Sequence, residues 1–128
     1  MLAISPLTPV FVAVQPVDFR RGIDGLVHTT RAVLAENPLS GAVFVFRNRG
    51  KTAVKLLFYD GQGYWLCLKR LSSGRLSWWP TAAQPATPLA ARELHILLWN
   101  GNPHQAQLAP DWRPLPQAAR LDVGVSCS

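Results

Sequence analysis

Residues 54–79 read VKLLFYDGQGYWLCLKRLSSGRLSWW, and the reading of this stretch decides the fold. Asp60-Gly61-Gln62-Gly63 separates two seven-to-eight-residue runs rich in aromatic and branched side chains. A glycine at the first central position suits a two-residue type II′ hairpin turn. With Asp60 facing Gly63, Tyr59 faces Tyr64, Phe58 faces Trp65 and Lys55 faces Leu68. One face of the hairpin then carries Val54, Leu56, Phe58, Trp65 and Cys67, a core surface. The other carries Lys55, Tyr59, Tyr64 and Arg70 beside Leu57, Leu66 and Leu68, so part of that face is covered as well. A shift of one residue would exchange the faces.

Working outward, AVFVFRN before the hairpin reads as a strand ended by the turn residues RNRGK, and RLSWW after it as a further strand stopped by Pro80. No crossover helix fits between these runs, which predicts an antiparallel meander. Val10–Val14, bounded by prolines at 9 and 16, reads as another strand. Between them Ile23, Leu26, Val27, Thr30, Val33 and Leu34 fall on one helical face, ended by Asn37-Pro38. Gly25 costs that helix about 1 kcal/mol relative to alanine, so a packing reason for it is expected. Residues 81–86 read as a loop. Thr87-Pro88 then reads as an N-cap and first helical residue, opening a second helix through LAARELHILLWN with Gly101 beyond its end. The expected class is α+β, an antiparallel meander sheet of four to five strands with two helices. Residues 1–101 form the expected domain, and 102–128 a flexible tail rich in Pro, Gln and Ala.

The 128 residues carry 13 Lys and Arg against 7 Asp and Glu, a net charge of +6. Between Asp18 and Arg75 lie ten basic and four acidic residues, so the entire excess sits in that segment. A basic segment of this kind suits a polyanionic partner. Its candidate phosphate contacts are Arg20, Arg21, Arg47, Arg49, Lys51, Lys55, Lys69, Arg70 and Arg75, with Tyr59, Tyr64, Trp78 and Trp79 as stacking or packing partners. In Asp18-Phe19-Arg20-Arg21-Gly22, two cations precede a helix whose dipole disfavours them. Either Asp18 pairs with one of them, or an anion bridges them.

Gly50-Lys51-Thr52 lacks the earlier glycine and following helix of a phosphate loop. The histidines His28, His95 and His104 have no metal-binding spacing, and no metal or cofactor is expected. Asp60 reads as a turn former, and no carboxylate cluster, nucleophile elbow or reactive-cysteine context is apparent, so the expectation is a non-enzyme. Cys67 and Cys127 read as two free thiols of a reducing cytoplasm. The apolar runs are too short for a membrane span, and no export signal is evident.

Four blocks, DFRRGIDGL (18–26), PLSGAVFVFRNR (38–49), VKLLFYDGQGYWLCLKRL (54–71) and GRLSWWP (74–80), resemble in order and spacing the accessory proteins encoded by the second open reading frame of insertion-sequence 66 transposons, the TnpB type. The resemblance spans residues 10–101 and leaves out the tail. Paired tryptophans before Pro80 depart from the more usual single aromatic. The resemblance implies a role in transposition beside a separate transposase that carries the catalytic acids. It supplies no catalytic residue for this chain. The expected partners are DNA, through its phosphates, and the transposase; the alternative is an interaction module that docks on the transposase without DNA.

Overall fold

The computed structural model describes residues 5–103 and 125–127. Its elements in chain order are β1 (Val10–Ala13), α1 (Ile23–Ala32), β2 (Val43–Arg47), β3 (Ala53–Tyr59), β4 (Tyr64–Arg70), β5 (Ala86–Leu89), α2 (Ala91–Leu98) and β6 (Val125–Cys127). The strands form one sheet in the order β5-β1-β2-β3-β4-β6. The class is α+β, as expected. β2, β3 and β4 form the antiparallel meander, with Tyr59 opposite Tyr64, Phe58 opposite Trp65 and Lys55 opposite Leu68. Gly61 has φ +99°, the left-handed value that the turn requires.

Three expectations are corrected. The sheet has six strands, and β1 pairs with β2 in parallel through the α1 crossover, so the meander is not the whole sheet. RLSWW is not a strand. Residues 71–80 instead fold over one sheet face, burying Leu76 and Trp79, whose indole Nε1 donates to the Ala13 carbonyl at 2.9 Å. Thr87-Pro88 does not open a helix; it lies in β5, with Thr87 opposite Val12 and Pro88 opposite Phe11. Proline is tolerated there because β5 is an edge strand and one side of its ladder has no partner to lose. α2 starts after Ala90, whose backbone N–H is capped by Glu93 Oε1 at 2.9 Å.

Strand alternation splits the apolar residues into two cores. Val10, Val12, Val43, Val45, Val54, Leu56 and Cys67 point to the face covered by α2 and residues 71–80, where Leu94, Leu97 and Leu98 complete the packing. Ala13, Phe44, Phe46, Leu57 and Leu66 point to the opposite face, covered by α1 through Leu26 and the following Leu34. Burial of each such leucine contributes about 1.5–3 kcal/mol. α1 ends at Ala32, earlier than the apolar period suggests. The Val33 and Leu34 N–H groups both turn back to the Thr29 carbonyl, and Ala35 takes φ +56°. That turn keeps Leu34 buried but leaves Val33 exposed, so Val33 drops out of the expected packing face.

Cys67 is disulfide-bonded, which overturns the expectation of free thiols. Pairing of β6 with β4 sets Cys127, the only other cysteine of the chain, opposite it. Fifty-nine residues of intervening sequence conceal a neighbour that only strand pairing supplies. The remainder of the expected tail, 104–124 and 128, lies outside the described residues.

Candidate nucleic-acid interface

Strand directions assign the charged side chains to two ends of the sheet. β1, β2 and β4 finish, and β3 begins, at one end. There the β1–α1 loop carries Arg20 and Arg21, the β2–β3 turn carries Arg49 and Lys51, β4 ends on Arg70, and the segment after it carries Arg75. All six are exposed. The backbone ties these segments together: Val17 N–H donates to the Arg47 carbonyl at 3.0 Å, Leu71 N–H to Thr52 at 2.9 Å and Leu76 N–H to Lys51 at 2.7 Å. The β3–β4 turn, with Asp60, lies at the opposite end.

Two asparagines that the sequence reading passed over hold this basic end in shape. Asn48 Oδ1 accepts from the Thr52 and Ala53 N–H groups at 2.8 and 3.2 Å, and its Nδ2 donates to Thr52 Oγ1 at 2.8 Å. These bonds close the turn that presents Arg49 and Lys51. Lys51 itself has φ +59°, a conformation uncommon for a residue with a Cβ. Asn100, past the end of α2, accepts from Ser77 N–H at 2.7 Å and donates to the Arg75 carbonyl at 3.2 Å. Asparagine ahead of a turn and Asn-Gly after a helix were the available signals.

The sequence-predicted cations have different fates. Arg20 is 92% exposed and pairs with Asp18, its Nη2 2.8 Å from Oδ2 and its Nε 3.1 Å from both carboxylate oxygens. Those bonds lower the Asp18 pKa to about 2. The ion pair expected as one alternative for Asp18 is present, with Arg20 as the partner. Arg21 lies across Gly25 and reaches Thr29 Oγ1 at 3.3 Å. A Cβ on Gly25 would stand 3.0 Å from Arg21 Cβ, the packing reason expected for that glycine. Arg47 is half-buried. It stacks 5.9 Å from the Trp79 ring and donates to the Asn48 carbonyl, and its Nε is buried without a partner. Desolvation, with the charge of Arg49, lowers its pKa.

Lys55 and Lys69 leave the candidate set. Lys55 is buried against the carbonyls of Phe19 and Arg21, and burial lowers its pKa against an opposing pull from Asp18. Lys69 donates to the Leu98 carbonyl at the C-terminus of α2, with its ammonium 5.3 Å from the Trp99 ring. A cation is favourable at that helix end. The aromatics expected to stack or pack mainly pack, and Trp79 meets a candidate cation only in the half-buried Arg47. Trp79 is buried, Trp78 is partly buried against the core, and Tyr59 and Tyr64 pair at 5.1 Å beside the β3–β4 turn, away from the basic end. At that turn Asp60 accepts from the Gln62 and Gly63 N–H groups and from Trp65 Nε1 at 2.7 Å. Asp60 and Asp18 are therefore at opposite ends of the sheet.

The basic end also encloses a cleft of about 380 Å³ between the β1–α1 loop and the β2–β3 turn, with Arg20 on one wall and Arg49 on the other. The family model described as IS66 Orf2 like protein matches residues 8–107. The chain belongs to this family. Its membership associates the protein with transposition of insertion sequences, in an accessory role. Two relatives from Sinorhizobium fredii are similar. Uncharacterized protein y4hO is 37% identical over 114 residues, covering 89% of this chain and 96% of the relative. Uncharacterized protein y4jC is 36% identical over 89 residues, covering 70% and 75%. No solved structure matches. The family match takes in both helices, β1 to β5 and every residue of the basic end, and stops before β6. No helix among the described residues is long and apolar enough to cross a membrane.

Proposed function

We propose that this IS66 Orf2-like protein is a non-catalytic accessory subunit of DNA transposition that holds DNA by its phosphates through the basic end of the sheet. The observation that supports it is the gathering of Arg20, Arg21, Arg49, Lys51, Arg70 and Arg75, all exposed, from four separate segments to one end. Guanidinium and ammonium groups spread over a surface suit a backbone of repeated single charges, and phosphate contacts carry position rather than sequence. Asp18 neutralises Arg20 in the free protein, and a phosphate would compete for that guanidinium. The cytoplasm, where the chromosome lies, is the compartment this role needs. The Cys67 disulfide removes the free-thiol argument for it.

A second reading, docking on the transposase without DNA, draws on the other end of the molecule. Trp65, 38% exposed, stacks on Phe58 at 6.2 Å beside the β3–β4 turn and is oriented by Asp60. Exposed, oriented aromatics are enriched at protein interfaces. One experiment separates the two. Duplex DNA carrying the transposon ends, and unrelated duplex, are titrated with the wild-type protein and with the combined Arg49→Gln, Lys51→Gln, Arg70→Gln, Arg75→Gln variant. The DNA reading expects similar binding of both duplexes and loss of binding in the variant, with unchanged thermal stability. Absence of binding at about 50 mM salt, or equal binding by the variant, refutes it. Capture of the transposase that Trp65→Ala abolishes and the basic variant leaves intact favours the docking reading.

A further inference from the structure

Lys55 is the one charged residue buried among those described, 8% exposed, on a sheet face it shares with Phe44, Phe46 and Leu57. Leu57, two residues along β3 on the same face, shows that leucine is accommodated in this core. An ammonium here bears a desolvation cost that an aliphatic side chain avoids. Its partners indicate what offsets that cost. Nζ donates to the carbonyl of Phe19 at 2.9 Å and to that of Arg21 at 3.0 Å, 36 and 34 residues earlier in the chain, and lies 4.8 Å from the Phe19 ring centroid. These two carbonyls flank Arg20. Among the described residues no carboxylate forms an ion pair with Lys55; that of Asp18 pairs with Arg20 and acts on the ammonium only at longer range.

The loop held in this way has few other anchors of its own. Gly22, the N-cap of α1, makes no side-chain capping bond. Within the loop the Arg21 N–H donates to the Asp18 carbonyl at 3.0 Å and the Arg20 N–H to Asp18 Oδ1 at 2.9 Å. Those bonds are internal to the loop and do not attach it to the sheet. Its hydrogen bonds to the sheet come from Val17, bonded to Arg47, on one side and from Lys55 on the other, beside the apolar packing of Val17 and Phe19 on the core.

We infer that Lys55 is a positioning residue: by holding the Phe19 and Arg21 carbonyls on the sheet, it sets the backbone from which Arg20 and Arg21 are presented at the basic end. The use to which the arginines are put rests on the DNA reading above; the positioning itself does not. A two-point grip on the backbone makes no demand on the loop's charged side chains, and Arg20, although paired with Asp18, stays almost wholly exposed.

The test uses the full chain with Lys55→Met, which keeps an unbranched apolar stem and removes the donors, and Lys55→Arg, which restores donors. Amide hydrogen exchange without DNA should show residues 18–22 exchanging at least about tenfold faster in Lys55→Met, protection of β2 and β3 retained, and recovery in Lys55→Arg. Unchanged exchange in the loop, or equal acceleration throughout the sheet, overturns the inference. Should Lys55→Met not fold, Lys55→Gln, with one donor group, is read in the same way. Failure of both to fold also overturns it, because the residue would then support the whole sheet. Where the wild type binds DNA, Arg20→Gln should reduce the salt slope by about one in the wild type and by much less in Lys55→Met, whereas Arg70→Gln should act equally in both. Loop exchange that responds to Lys55 in a protein without DNA affinity would refute the DNA reading and leave the positioning intact.

Discussion

Replacing Trp79 by phenylalanine removes an indole N–H that ties residues 71–80 to a strand 66 residues away. Trp79 Nε1 donates to the carbonyl of Ala13, and both residues are buried. An acceptor left unsatisfied in such a place costs about 1–3 kcal/mol. The smaller ring also weakens the contact with the Arg47 guanidinium, at present 5.9 Å from the ring centroid, by about 0.5 kcal/mol. The volume it vacates adds roughly 1 kcal/mol where the core cannot close in. The sum is about 2.5–4.5 kcal/mol, a large part of the roughly 5–15 kcal/mol that stabilises a domain. Urea unfolding followed by far-ultraviolet circular dichroism measures it, as a lower midpoint at unchanged slope. Trp99→Phe is the control, because Trp99 is exposed and should lose less than about 1 kcal/mol. A Trp79→Phe loss no larger than that of the control would refute the assignment of this hydrogen bond as the fastening of residues 71–80.

If the basic end binds duplex DNA with Arg20, Arg21, Arg49, Lys51, Arg70 and Arg75 each neutralising one phosphate, the slope of log K against log salt should be about −5.4, a loss of roughly 1,800-fold between 50 and 200 mM. A flat response in a salt titration would exclude that mode. Burial lowers the pKa of His95, so between its folded value and the ordinary 6.5 only the unfolded chain holds the proton. Stability should therefore fall on acidification through that window, and His95→Gln should flatten the dependence in melting curves. The Asp60 carboxylate is held below its ordinary pKa by Trp65 Nε1 and then by the Gln62 and Gly63 N–H groups. Its contribution should be complete above the ordinary carboxylate value and disappear as pH falls through the lowered one. Asp60→Asn should reduce that part of the acid titration. Gly101→Ala would place a Cβ 2.7 Å from Ile96 Cγ2 and 3.2 Å from its carbonyl oxygen. The expected cost is about 1–3 kcal/mol, checked by denaturant midpoint.

The central hairpin was legible in the sequence because its determinants are local. The Asp60–Gly63 turn sets the register, and period-two alternation then assigns every side chain of β3 and β4 to a face, as observed. The same locality made the start of α1 legible through its 3.6-residue period, and Gly25 could be recognised as needing a neighbour. The four ordered blocks were enough to indicate the family. Tertiary structure decided what depends on partners distant along the chain. Thr87-Pro88 satisfies helix-start chemistry, yet the free edge of β1 offers it a ladder, and the helix begins three residues later. RLSWW has strand composition, but its buried tryptophan finds its acceptor at Ala13 and residues 71–80 become a cover.

For the candidate site the division is sharper. Sequence alone determined that the excess charge lies between Asp18 and Arg75. It left open which cations face solvent, because lysine has an apolar stem long enough to carry its ammonium either to water or to a buried carbonyl. Lys55 and Lys69 take the second course, Arg47 is half-buried between Trp79 and the β2–β3 turn, and the other six residues meet at one end. That meeting follows from the order and direction of the strands, set by the parallel pairing of β1 with β2 across a helix. No short-range rule reports such a pairing, since its hydrogen bonds join residues more than thirty positions apart.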